Sequence, residues 1–220
     1  MHRISYSQFG EDIVAWNALR NATPGFYVDV GAHHPIKLSN TARMHLEGWD
    51  GINVEPRADA IELFERHRPR ATNLRLAIHN ELDVVTLHKF RGGRIDTVIA
   101  DRARMLANSK DAVGAEDVPA MSLDRLFEEH VPAGTRVNYL SVDIEGYDRE
   151  AILAFDLDRH RPDVVCIELH DFDPLALGSN PVVRHFKDAG YHPFAINIMS
   201  FTFVREDAAG RLGIHRLNRA

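Results

Sequence analysis

The sequence is poor in cysteine: Cys166 is the only one among 220 residues. That excludes an intramolecular disulfide framework. The thiol sits inside the apolar run "DVVCIEL" and is expected to be buried and inert. Long hydrophobic stretches are missing as well. No run approaches the roughly 18 apolar residues of a membrane-spanning helix. The opening "MHRISYSQFGED" has no basic segment followed by an apolar one, so no signal peptide is expected. A reducing, cytoplasmic setting fits these features. Positive charge is in deficit, with 26 Lys and Arg against 32 Asp and Glu. Non-specific nucleic-acid binding needs Lys and Arg to neutralise phosphates, so no nucleic-acid partner is expected. Internal repeats and low-complexity segments are absent.

The remainder has a soluble, globular composition, 45% hydrophobic and 26% charged. Its length suits one domain over 1–220. Short β-rich runs alternate with amphipathic stretches. "GFYVDVG", "GINVE", "LRLAIH" (74–79), "VVTLHKF" (84–90), "VNYLSVDIEG" and "DVVCIELH" read as strands. Continuous apolar runs of this kind suit strands covered on both faces. Helices lie between them. Ser39 can cap one that stops near Gly48, and Pro56 fits the first turn of "RADAIELFERH". Ser122 caps "LDRLFEEH", "YDREAILAF" follows the strand ending at Asp143, and Asn180 opens "PVVRHFKDA". The alternation predicts an α/β fold with a mostly parallel sheet. "YHPFAINIMSFTFVRE" (191–206) reads as a hairpin that adds an antiparallel strand. Residues 91–119 show weak periodicity and are expected to be irregular, either a mobile lid or a surface excursion.

Ligands of doubly wound sheets bind at the carboxyl ends of the strands. Four strand ends carry acids here. The first ends in Asp29, Gly31, His33 and His34, and the second in Glu55. Another ends in Asp143 and Glu145, and a fourth in Glu168 and His170 with Asp171 and Asp173 beyond. Gly31 lets backbone approach a ligand closely. Glu55, at the next strand end, offers two acceptor oxygens to two ribose hydroxyls. The fingerprint G-x-G-x-x-G is absent, so a pyrophosphate has no cradle. A nucleoside without phosphates fits better, and S-adenosylmethionine is one. The plainer alternative is that Gly31 only turns the chain and Glu55 is solvated.

"SQFGED", "FYVDVGAHHPIKLSNT", "GWDGINVEP", "SLDRLF" and "LSVDIEGYDREAI" occur in that order between about residues 5 and 170. Together they resemble the FkbM family of S-adenosylmethionine-dependent methyltransferases. "SQFGED" and the "H-P-x-x-x-SNT" turn are similar to a branch found beside polysaccharide and glycolipid genes. The resemblance implies a doubly wound, seven-stranded class I methyltransferase sheet, Rossmann-like, with an antiparallel last strand. It also implies residue roles. Asp29 and Gly31 would line the methionine side of the cofactor, together with Asp143. Ser39, Asn40 and Thr41 would take its carboxylate, and Glu55 its ribose. Ala77 and Ile78 would border the adenine. Gln8, in the N-terminal segment 1–22, would close over the site.

A sugar hydroxyl is a poor acid, so its methylation needs a base, a metal, or both. Glu168 and His170 point to one face of their strand, as do Asp143 and Glu145 if extended geometry persists. In one reading, Asp143, Glu168 and His170 ligate Mg²⁺ or another divalent cation. In the other, His170 or Glu145 is the general base and Asp143 assists. The plainer alternative is that Asp143 and Glu145 cap the following helix. The expected partner is a sugar-containing molecule or glycan. A non-sugar acceptor, or an inactive cofactor-binding partner of a glycan-assembly enzyme, are the rivals. The edge hairpin is a possible contact for self-assembly. Trp16 and Trp49 read as packing residues. The run "RHRPR" (66–70) reads as a solvated helix end.

Overall fold

A computed structural model describes residues 4–22, 24–107, 111–170, 172–173 and 175–214. Asp171 lies outside them. In chain order come α1 (Glu11–Leu19), β1 (Phe26–Val30), α2 (Ala42–Leu46), β2 (Asp50–Val54), α3 (Ala58–His67), β3 (Thr72–Leu74) and β4 (Ala77–Ile78). Next are β5 (Val84–Phe90), α4 (Ala100–Ala107), β6 (Ala112–Met121), α5 (Leu123–His130), β7 (Tyr139–Val142), α6 (Asp148–Ala154) and α7 (Leu157–His160). The last are β8 (Val164–Glu168), α8 (Pro181–Asp188), β9 (Tyr191–Asn197), β10 (Ser200–Arg205) and α9 (Glu206–Leu212).

Seven strands form one sheet in the order β3-β2-β1-β7-β8-β10-β9. The pairs from β3 to β8 are parallel, and β10 runs antiparallel to both β8 and β9. This is the expected mostly parallel sheet with its antiparallel last strand. Both faces are covered, which is why its strands read as unbroken apolar runs. On one face Val28, Val30, Leu140, Val142, Val165 and Ile167 pack with residues of α5, α6 and α8. On the other, Tyr27, Tyr139, Val164 and Cys166 pack with α1, Met44, Trp49 and α9. Trp49 is fully buried and Cys166 is a buried free thiol. Among the described residues no helix is long and apolar enough to cross a membrane.

The secondary structure departs from the sequence reading in several places. "LRLAIH" is not one strand: Leu74 ends β3, and the Leu76 N–H turns back to the Leu74 carbonyl at 3.1 Å. Ala77–Ile78 then joins a second, three-stranded sheet, β4-β6-β5. Residues 91–99 are irregular as expected, but Ala100–Ala107 forms α4 and residues 112–119 belong to β6, which pairs antiparallel with β5. Ala112–Ala115 are exposed, so no buried face imposed an alternating pattern on that part of the strand. Pro56 lies two residues ahead of α3 rather than in its first turn.

Candidate active site

Strand order reverses at the seam between β1 and β7, and a crevice opens beyond the carboxyl ends of the strands there. It is open to solvent and offers about 880 Å³ of space, part of it outside the protein walls. Gly31 makes the seam possible. It takes φ +78°, and a Cβ there would stand 2.7 Å from the Asp143 carbonyl carbon. The Gly31 and Ala32 N–H groups both donate to the Val54 carbonyl, at 2.9 and 3.0 Å. The Asp143 N–H donates to the Val30 carbonyl at 2.9 Å, so the ends of β1, β2 and β7 are tied at one point.

Glu55 stands beside them, only 6% exposed. Its Oε2 accepts the His33 N–H at 2.9 Å, and its Oε1 accepts the Arg57 N–H at 3.1 Å. The carboxylate is thus fixed by backbone and still borders the cleft. Burial pushes its pKa up to about 7, although those two N–H groups oppose the shift. The folded, ligand-free protein therefore holds an extra proton at Glu55 between the ordinary carboxylate range and pH 7. Its contribution to stability is fully present at low pH and is lost as pH rises through about 7. That loss is worth at most about 3 kcal/mol. In melting scans from pH 5.5 to 8, wild-type Tm is expected to fall more than that of Glu55→Gln. Identical slopes would refute the assignment.

The N-terminal motif positions Gln8. Asp12 is fully buried and accepts Ser5 Oγ and Ser7 Oγ, both at 2.7 Å, and the Tyr6 N–H at 2.9 Å. Glu11 accepts the Phe9 N–H and Ser200 Oγ. Fixed at both flanks, Gln8 borders the cleft and accepts Arg94 Nη2 at 2.9 Å. Val54, Leu76, Ala77, Ile78, Leu87 and Val98 supply an apolar wall. Residues 93–98, from the segment expected to be irregular, form part of that rim.

His33 borders the cleft, whereas His34 braces the turn, its Nδ1 accepting the Ile36 and Lys37 N–H groups at 3.0 Å. Asp29, Gly31 and Asn40 also line the cleft. Ser39 and Thr41 do not: they are 1% and 0% exposed and lie behind it. Arg68 holds them there. This residue of the "RHRPR" run is 1% exposed, not solvated. Its guanidinium donates to the Pro35 carbonyl, Ser39, Thr41 and Asn53.

The far end of the cleft is acidic. Asp143 and Glu145 line it. Glu145 takes φ +55°, uncommon for a non-glycine residue, and Arg102 Nη2 donates to its Oε2 at 2.7 Å. Thr97 Oγ1 donates to the Glu145 carbonyl at 3.1 Å. Burial, then the nearby Glu168 carboxylate, pushes Glu145 up to about 7. Asp143 is raised well above the carboxylate range by burial and by Glu168, Asp148 and Glu145. Asp148 is buried and braces the turn, taking the Ile144 N–H at 2.7 Å and the Gly146 N–H at 2.9 Å.

Glu168 and His170 do not line the cleft; Glu168 is half-buried and His170 exposed. His170 Nε2 lies 3.0 Å from Glu168 Oε2, but Oε2 accepts no aligned hydrogen bond. The contact with Glu168 holds the His170 imidazole above its ordinary value. Ligand atoms of Glu145, Glu168 and His170 lie within 4.8 Å of one another, as do those of Asp143, Asp148 and Glu168. Glu168 thus belongs to both groups, while Asp143 and His170 fall in different ones. Asp148, Arg68 and Arg102 were not found from the sequence. Asp148 carried the one legible signal, an acid opening a helix just after Gly146.

A seven-stranded, mostly parallel sheet ending in an antiparallel strand, with a cleft at its β1/β7 seam, is the architecture of class I methyltransferases. Residues 29–193 match the Methyltransferase FkbM domain, and the chain belongs to that family. No curated protein and no solved structure matches it.

Proposed function

We propose that the protein transfers a methyl group from S-adenosylmethionine to a sugar hydroxyl on a glycan, glycolipid or glycosylated metabolite. The observation that carries the cofactor is Glu55. A buried carboxylate, fixed by two backbone N–H groups and bordering an apolar wall, suits a ribose next to an adenine. When bound, the cofactor supplies an electrophilic methyl carbon. The protein supplies position and a base. Glu55 accepts the ribose hydroxyls, Ala77 and Ile78 flank the base, and Asp29, Gly31 and Asn40 border the amino-acid end. Gln8 and residues 93–98 narrow the mouth of the cleft.

The acidic end serves the acceptor. Glu145, poised near 7, takes the hydroxyl proton, and Asp143 orients the hydroxyl. His170, paired with Glu168, is the alternative base. The Glu168 Oε2 atom, buried without an aligned donor, also fits a divalent cation beside Asp143 or His170. Such a cation lowers the pKa of a bound hydroxyl. The sugar is supported by the sequence resemblance to a branch beside glycan genes.

Isothermal titration with S-adenosylmethionine and S-adenosylhomocysteine, with and without EDTA and Mg²⁺, tests this. Micromolar binding is expected, and Glu55→Ala should weaken it roughly a hundredfold, since two hydrogen bonds to a buried charge are lost. Unchanged affinity in that variant would refute the cofactor placement.

A further inference from the structure

We infer that Arg68 is a positioning residue that shapes the wall of the cleft facing the cofactor's amino-acid end; this rests on the S-adenosylmethionine reading above. The loop from Pro35 to Thr41 joins β1 to α2 and carries Leu38 and Asn40 into the cleft. Arg68 grips that loop at three points from behind. Nη2 donates to the Pro35 carbonyl at 2.6 Å and to Ser39 Oγ at 2.9 Å. Nη1 donates to Thr41 Oγ1 at 2.8 Å and to Asn53 Oδ1, on β2, also at 2.8 Å. The guanidinium plane also lies over Phe64, 5.0 Å from the ring centre.

Two consequences follow for the cleft. Ser39 and Thr41 flank Asn40, so clamping both fixes how Asn40 is presented. Leu38 next to them takes φ +54°, a conformation that needs support from its surroundings. The second consequence is electrostatic. Thr41 Oγ1 accepts a hydrogen bond from Arg68 and donates one to Asp29 Oδ2. Asp29 is 3% exposed and borders the cleft. Arg68 is therefore the buried counter-charge for Asp29, one hydroxyl away. No ligand can touch Arg68 directly, because the loop lies between. A lysine retains the charge but cannot span the Pro35, Ser39, Thr41 and Asn53 acceptors together.

Two nucleosides separate positioning from general support. S-adenosylhomocysteine carries the amino-acid end; 5′-methylthioadenosine has the same nucleoside without it. Titrations would compare wild type, Arg68→Lys and the near-isosteric Thr41→Val, each checked by thermal melting. Wild type is expected to bind both compounds. Arg68→Lys should bind S-adenosylhomocysteine about 10–100-fold more weakly, with methylthioadenosine affinity nearly unchanged. If the lysine variant does not fold, Thr41→Val should give the same selective loss. Equal losses for both nucleosides, or no loss for either, would overturn the positioning role alone. Wild-type protein that binds neither compound would overturn the cofactor reading and the positioning role with it.

Discussion

Gly31→Ala is expected to destabilise the protein by about 3–5 kcal/mol, or to prevent folding. Two effects add. The residue sits at φ +78°, where a Cβ costs about 1 kcal/mol or more. The greater cost is steric, because the added carbon would meet the Asp143 backbone rather than a movable side chain. Relief requires β1 and β7 to part at the seam. Gly48→Ala is the matched control. It has φ +88° with nothing within 4 Å of the added carbon, so only the backbone strain applies. At about 2–4 °C per kcal/mol, the first variant should melt roughly 10 °C below the second. Equal melting temperatures would show that the seam yields, and that Gly31 is not its keystone.

Asp143→Asn should lower methyl transfer to an acceptor by roughly 10²-fold, because the hydroxyl it orients loses its alignment for attack. Its effect on the fold should go the other way. Asp143 lies among Glu145, Asp148 and Glu168, and burial together with those charges already disfavours its ionised form. A neutral isostere removes that penalty, so Tm should hold or rise. Loss of turnover with retained or improved stability is the mark of a functional group held at a structural cost. Glu168→Gln should lower turnover as well, because Glu168 contacts His170 at 3.0 Å and clusters with Asp143. The rate is read as S-adenosylhomocysteine release in the presence of acceptor. Full turnover in both variants would remove the catalytic assignment from this end of the cleft.

The sheet was legible because its strands are buried on both faces, leaving runs such as "FYVDV" and "VVCIE" apolar but for one acid each. Helix starts were legible where a side chain does the capping. Ser122 accepts the Arg125 N–H, and Asn180 accepts the Val182 and Val183 N–H groups. The second sheet was hidden because β6 begins exposed and β4 has only two residues. In the site, the cleft-lining places of Glu55, Asp143 and Glu145 could be read from their positions at strand ends. Arg68 could not. Its neighbours Arg66, His67 and Arg70 do not share its fate, and nothing local distinguishes the one arginine that turns inward. Its burial is decided by acceptors on the loop, by Tyr27 Oη on β1 at 3.3 Å and by Asn53 on β2, which only the folded chain brings together.

The seam also bears on how the protein folds. At the start of β1, the Phe26 N–H is accepted by Asn138 Oδ1, a contact spanning 112 residues of chain. The pieces α2, β2, α3 and β3 can associate with β1 over short loops, but β7 arrives only after the whole second sheet has been made. Closing so long a loop is slow relative to local pairing. During synthesis, the β1 edge therefore waits unpaired, and the cleft is among the last features to form. Refolding should show early gain of secondary structure and a later, slower return of ligand binding, with the delay set by the β1–β7 closure.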